Sequence, residues 1–112
     1  MNFEQPSPPN NKEIKETPEI TDKELVEGLR SRSIDDPELH KLLEKWTEQE
    51  EKKVENKPEA TIRFNVRRGK LYAEAGYIEE ALDTLEGARI QAFNEQRTEL
   101  YNEIIDEMET MD

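Results

Sequence analysis

The chain contains no cysteine. That excludes a disulfide framework, a thiolate metal site and a cysteine nucleophile, and it leaves redox chemistry silent about compartment. There is one histidine, His40, beside a leucine-rich helical face, and it lacks the partners that metal or nucleophilic chemistry needs. The four glycines, Gly28, Gly69, Gly76 and Gly87, are scattered, so no loop can cradle a phosphate. The many acids never adopt the alternation of Asp or Asn, central Gly and terminal Glu that makes a calcium loop. No apolar run approaches the roughly 20 residues needed to span a bilayer, and no charged-then-apolar signal segment opens the chain. The expected setting is therefore soluble and cytoplasmic. Basic residues are also in short supply, 16 against 28 acids for a net charge of -12, which argues against nucleic acid or anionic membrane as a general partner. No catalytic, cofactor-binding or metal-ligating residue is assigned, and an enzyme is the least expected class.

With 32% hydrophobic against 39% charged residues, a chain of this length cannot bury a large core throughout, so part of it is expected to be disordered. Residues 1–20 carry Pro6, Pro8, Pro9 and Pro18 without any apolar period, and read as a disordered, proline-rich tail. Beyond it the periodicity is helical and no alternation of period two suggests a sheet, which predicts an all-α fold.

Residues 21–57 read as amphipathic helices followed by a charged linker. Thr21 and Glu24 stand three apart as a capping box, with Leu25, Val26 and Leu29 on one face and Gly28 weakening the helix. A stronger start follows, where Asp36 can cap, Pro37 sits at the first helical position and Glu38 complements the dipole. Leu39, Leu42, Leu43 and Trp46 then recur at i, i+3, i+4 and i+7, and Trp46 is expected to anchor a core. After it Val54 is the only apolar residue before Pro58, so the helix is expected to run on through charge pairs such as Glu48 with Lys52, solvated, and to fray before Pro58.

Residues 58–112 hold three further helices. The first, Pro58 to about Ala75, has two apolar faces: Ala60, Phe64, Leu71, Tyr72 and Ala75 on one, Ile62, Val66, Gly69 and Ala73 on the other. Such a helix needs neighbours on both sides. Gly76 and Tyr77 break it. The next, Ile78 to Phe93, points Ile78, Ala81, Leu82, Leu85, Ala88, Ala92 and Phe93 toward a core. The last, about Glu95 to Met108, does the same with Leu100, Tyr101, Ile104, Ile105 and Met108, leaving Glu99, Glu103, Asp106, Glu107 and Glu109 outside.

Two antiparallel helices approach closely only where crossing side chains are small, and Gly69, Ala73, Ala81 and Ala88 offer that room beside Tyr72 and Leu85. In this spacing, Gly69, Tyr72, Gly76, Ala81, Leu85 and Ala88 resemble the tetratricopeptide repeat over residues 62–95, the length of one repeat. Asn65 and Arg68 stand where the family has a large aromatic and a leucine, and no proline closes the repeat near Phe93. One repeat cannot bury both its faces, so flanking helices must complete it.

Arg63, Arg67, Arg68 and Lys70 are the only basic concentration in the chain. The resemblance implies that this helix lines a concave binding surface, with Arg63, Val66, Arg67 and Lys70 the partner-binding residues and arginine forks gripping peptide carboxylates. The plainer alternative is that these cations neutralise the protein's own acids, notably those in residues 94–112. The leading expectation is a small protein-protein interaction module that binds a protein or peptide with acidic groups, or its own copy. The rival is an assembly protein that self-associates through residues 37–57 and the hairpin. An acidic surface that mimics nucleic acid also fits the net charge but has no motif behind it.

Overall fold

The computed structural model describes residues 19–33 and 35–111. Five helices account for most of them, α1 (Asp22–Ser31), α2 (Pro37–Lys53), α3 (Pro58–Glu74), α4 (Ile78–Asn94) and α5 (Thr98–Thr110), and no strand occurs among the described residues. The fold is all-α, as the periodicity predicts. The proline-rich tail lies outside the described residues except for Glu19 and Ile20.

The helix starts follow local chemistry. At α1 the capping box closes in both directions: the Glu24 N–H donates to the Thr21 hydroxyl at 3.1 Å, and the Thr21 N–H donates to the Glu24 carboxylate at 2.9 Å. At α2 the Glu38 N–H donates to Asp36 at 2.8 Å, with Pro37 in the first turn.

The two later turns share one geometry. Gly76, at φ 95°, donates its N–H to Ala73 while Tyr77 reaches back to the carbonyl of Tyr72 at 2.9 Å. Gln96, at φ 60°, repeats this with Phe93, and Arg97 with Ala92. Both are Schellman endings, which need a left-handed residue after the helix cap. Glycine supplies it without strain in the first turn, and glutamine is forced into it in the second.

The helices stack as alternating runs. Asp22 lies beside Arg67 and Arg30 donates to the Glu74 carbonyl, so α1 and α3 run in the same sense. Arg63 meets Glu103 and Lys70 meets Glu107, so α5 shares that sense, while α2 and α4 run back between them. The Tyr77 hydroxyl lies 2.9 Å from the carbonyl oxygens of both Leu29 and Arg32 at the end of α1 and shares its one proton between them.

Helix α3 is completed on both sides. Phe64 and Leu71 join Leu25, Val26, Leu29, Leu39 and Trp46 in one core, with Tyr72 and Ala75 packed against it. Ile62 joins Leu85, Ala88, Ala92, Leu100 and Ile104 in the other, with Val66 packed against it. These are the two faces expected from the spacing. Trp46 has no exposed surface and tilts over Phe64 at 5.3 Å between ring centroids. At the α3/α4 crossing, a Cβ on Gly69 would lie 2.9 Å from Leu85 Cγ and 3.3 Å from the Ala81 carbonyl oxygen. Glycine is what lets the two backbones meet there.

Three expectations need correction. Phe93 is 68% exposed and Ile78 39%, because Ala81, Leu85, Ala88 and Ala92 already fill the face of α4 that meets α3 and α5. Residues 47–53 are not a solvated extension: α2 is regular to Lys53, Glu50 is buried at 7% exposure, and Thr47, Gln49 and Val54 are half-buried. Gly28 does more than weaken α1, since a Cβ there would lie 2.5 Å from Leu42 Cδ2 on α2. No helix among the described residues is long and apolar enough to cross a membrane.

Candidate functional site

A groove of about 610 Å³ runs between α3 and α5. Arg63, Val66, Arg67 and Lys70 all line it, together with Leu71 and Glu74 from α3 and Leu100, Glu103, Ile104, Asp106 and Glu107 from α5, so that three cations stand among four acids. The i, i+3, i+4 and i+7 spacing of the first four puts them in one row along α3, and the same-sense run of α5 provides the opposite wall. Half-buried Val66 is the accessible apolar side chain of the groove, above the buried Leu71, Leu100 and Ile104. Arg68 is not among the lining residues. Its guanidinium lies 5.9 Å from the Phe64 ring, and its Nε is buried without a hydrogen-bond partner among the described residues.

The three cations of the groove are already engaged within the chain. Arg63 donates to Glu59 at 3.1 Å and reaches Glu103 at 3.5 Å, and Glu59 also takes Arg97 at 3.2 Å. Lys70 lies 3.4 Å from Glu107. These side chains are mostly about half exposed, so each pair contributes little and is easily exchanged. Self-neutralisation, the plainer sequence alternative, is thus realised at both ends of the row, with weak contacts.

Arg67 differs. It pairs with the buried carboxylate of Glu50, lies 3.5 Å from Asp22, and stacks over both Trp46 and Phe64 at 5.6 and 5.8 Å. Asp22 in turn accepts from the Trp46 indole N–H at 3.1 Å. Glu50 also accepts from Lys53 and from Gln49, both at 2.9 Å, and Gln49 clasps the Ile20 backbone through its N–H and carbonyl. Burial alone would raise the Glu50 carboxyl. The hydrogen bonds from Gln49, Arg67 and Lys53 outweigh it and hold the group down to about 2. Arg67 therefore fastens α1, α2 and α3 at the edge of the groove, and only part of its guanidinium faces the open space.

Sequence reasoning found the row on α3 but missed its opposite wall and the Glu50 cluster. The wall follows only from the direction of α5. Glu50 stands four residues after Trp46 on the buried side of α2, a helical register that points to burial although the residue type does not.

A second surface lies across α4 and α5, away from α3. Leu82, Arg89, Ile105 and Met108 line a cleft of about 410 Å³, and Phe93 and Tyr101 line a neighbouring one of about 600 Å³. Arg89 bridges them, donating to the Tyr101 hydroxyl at 3.1 Å and to Glu86 at 2.9 and 2.5 Å.

No family model matches the chain, and neither the curated proteins nor the solved structures compared with it include a significant match.

Proposed function

We propose that the chain is a small, non-catalytic, cytoplasmic protein-interaction module of tetratricopeptide-like build, whose groove between α3 and α5 receives a peptide segment bearing carboxylates. The observation that carries this reading is the grouping of Arg63, Val66, Arg67 and Lys70 in one groove. The alternation of same-sense and returning helices, with Gly69 at the closest crossing, supports the resemblance drawn from residues 62–95. A bound carboxylate replaces Glu103 at Arg63 or Glu107 at Lys70. Each exchange trades one exposed ion pair for another, and because Leu71, Leu100 and Ile104 are buried, Val66 is the apolar side chain of the row that a bound segment can cover, with the charges fixing direction and register.

Against the rival reading, self-association through residues 37–57 and the hairpin, stands the burial of the leucine stripe in its first part. Leu39 and Trp46 are buried within the chain, and Leu42 and Leu43 pack against the same core.

The test is selection from a randomised twelve-residue peptide library against the wild-type protein, followed by chemical-shift mapping of the enriched peptides. Arg63→Glu with Lys70→Glu serves as the binding-deficient control, because both side chains are about half exposed and the fold does not depend on them. The expected outcome is acid-bearing peptides whose shifts centre on Val66, Leu71 and Ile104 and whose affinity falls about tenfold in the double variant. Peptides that map elsewhere, or that bind the double variant equally well, overturn the proposal.

A further inference from the structure

Among the described residues, α5 is the last helix of the alternating stack. Helix α1 is followed by a returning α2 that packs against both α1 and α3, and α4 returns in the same way between α3 and α5. On the far side of α5 no helix among the described residues returns. What remains there is an apolar strip built from two rows. On α4, Ile78, Leu82, Arg89 and Phe93 share a face at helical spacing, and on α5 Tyr101, Ile105 and Met108 follow at i, i+4 and i+7. Phe93 and Tyr101 touch across the strip at 6.1 Å between centroids, and Leu82, Ile105 and Met108 line a common cleft at its other end. From Ile78 to Phe93 the strip is about 22 Å long at 1.5 Å per residue, which matches four turns of a helix.

The unpaired charge around this strip is acidic. Glu79 and Asp83 on α4 and Glu109 on α5 have no ion-pair partner among the described residues. Two cations lie at the strip, and both are engaged: Arg89 is held by Glu86 and covers the Tyr101 ring, and Arg97, which lines the cleft with Phe93 and Tyr101, is paired with Glu59. A second copy of the chain would bring the same acids against these, in an isologous contact where every charge repeats. A helix with apolar residues along one face and lysine or arginine on its flanks meets both the apolar strip and its acidic rim. We infer that the α4/α5 face is a docking site for a basic amphipathic helix of a partner protein. This surface is separate from the α3/α5 groove, and the two assignments stand or fall independently.

The probe is a synthetic 18-residue peptide with leucine at i, i+3, i+4 and i+7 and lysine at the flanking positions. It is titrated into isotope-labelled full-length protein and followed by amide and methyl shifts. A peptide of the same composition in scrambled order reports simple charge attraction. Shifts centred on Leu82, Phe93, Ile105 and Met108 are expected, with affinity reduced about tenfold by Phe93→Glu and at least tenfold for the scrambled peptide. Phe93 is 68% exposed, so Phe93→Glu leaves the fold intact, which circular dichroism verifies. Ile105→Glu serves as a second variant within the cleft. No binding, equal binding of the scrambled peptide, shifts centred on the α3/α5 groove, or affinity untouched by Phe93→Glu each overturn the inference. So does a dimer in light scattering that Phe93→Glu converts to monomer, since the occupant is then a second copy.

Discussion

Replacing Glu50 with glutamine tests the cluster that ties α1 and α2 to α3. The carboxyl is 7% exposed and accepts hydrogen bonds from Arg67, Lys53 and Gln49. Held near 2 instead of the ordinary 4.5, it contributes at neutral pH up to about 3 kcal/mol, at 1.36 kcal/mol per pKa unit. The side chains of Arg67 and Lys53 are 44% and 48% exposed, so solvent screening reduces this to about 1–2 kcal/mol. The folded-state pKa is depressed. The contribution is therefore complete above about pH 5, where the carboxyl is charged in both states, and it is lost as pH falls through about 2. Glutamine keeps the size and part of the hydrogen bonding but never carries the charge. Urea unfolding followed by circular dichroism is expected to show Glu50→Gln less stable by about 1–2 kcal/mol at pH 7, with an unchanged slope. In thermal melts this corresponds to a drop of roughly 5–15 °C for a domain of this size. The gap between variant and wild type is expected to narrow steadily below pH 5, to about a quarter of its neutral-pH size at pH 2.5, and to close below about pH 2. Equal stability at pH 7, or a gap that stays constant with pH, refutes the argument that a charged Glu50 holds the three helices together.

Gly69→Ala and Gly28→Ala form a contrasting pair. At Gly69 the new Cβ meets the branch point of Leu85 and a backbone carbonyl, neither of which can move cheaply, so a net loss of about 1–2 kcal/mol is expected after the helix-propensity gain, read as a lower urea midpoint. At Gly28 the Cβ meets only the tip of half-buried Leu42, which can turn aside, and the same measurement is expected to show a change within about 0.5 kcal/mol. Gln96→Gly relieves a left-handed glutamine in an exposed turn and is expected to raise stability by about 0.5–1 kcal/mol, whereas Gly76→Ala in the equivalent turn lowers it by about 1 kcal/mol. Thermal melts of the two variants moving in the same direction would contradict the shared turn geometry.

Much of this fold is settled among neighbouring residues. Thr21 with Glu24, and Asp36 with Glu38, start their helices through bonds that span three residues or fewer. Gly76 ends α3 because a left-handed turn needs no distant support. The period of the apolar residues marked both faces of α3 before any neighbour was known, and Trp46 at the end of its leucine stripe read correctly as a core residue. Tertiary structure alone decided the charges and the edges. Periodicity tells which side of a helix is apolar but not which helix arrives there, so the row on α3 could be read while its opposite wall on α5 could not. Arg67 looked like its neighbours Arg63 and Lys70, yet it is engaged by Glu50 and Asp22, 17 and 45 positions away in the chain. Glu50 is buried because three donors converge on its carboxylate, and only the packing of α1 and α3 on α2 brings Arg67 among them. Phe93, apolar and in helical register, stays exposed because four smaller residues had already filled the face of α4 turned to the core. Local bonds and spacing are written in consecutive residues, whereas the partner of a charge and the neighbour of a face depend on how whole helices pack.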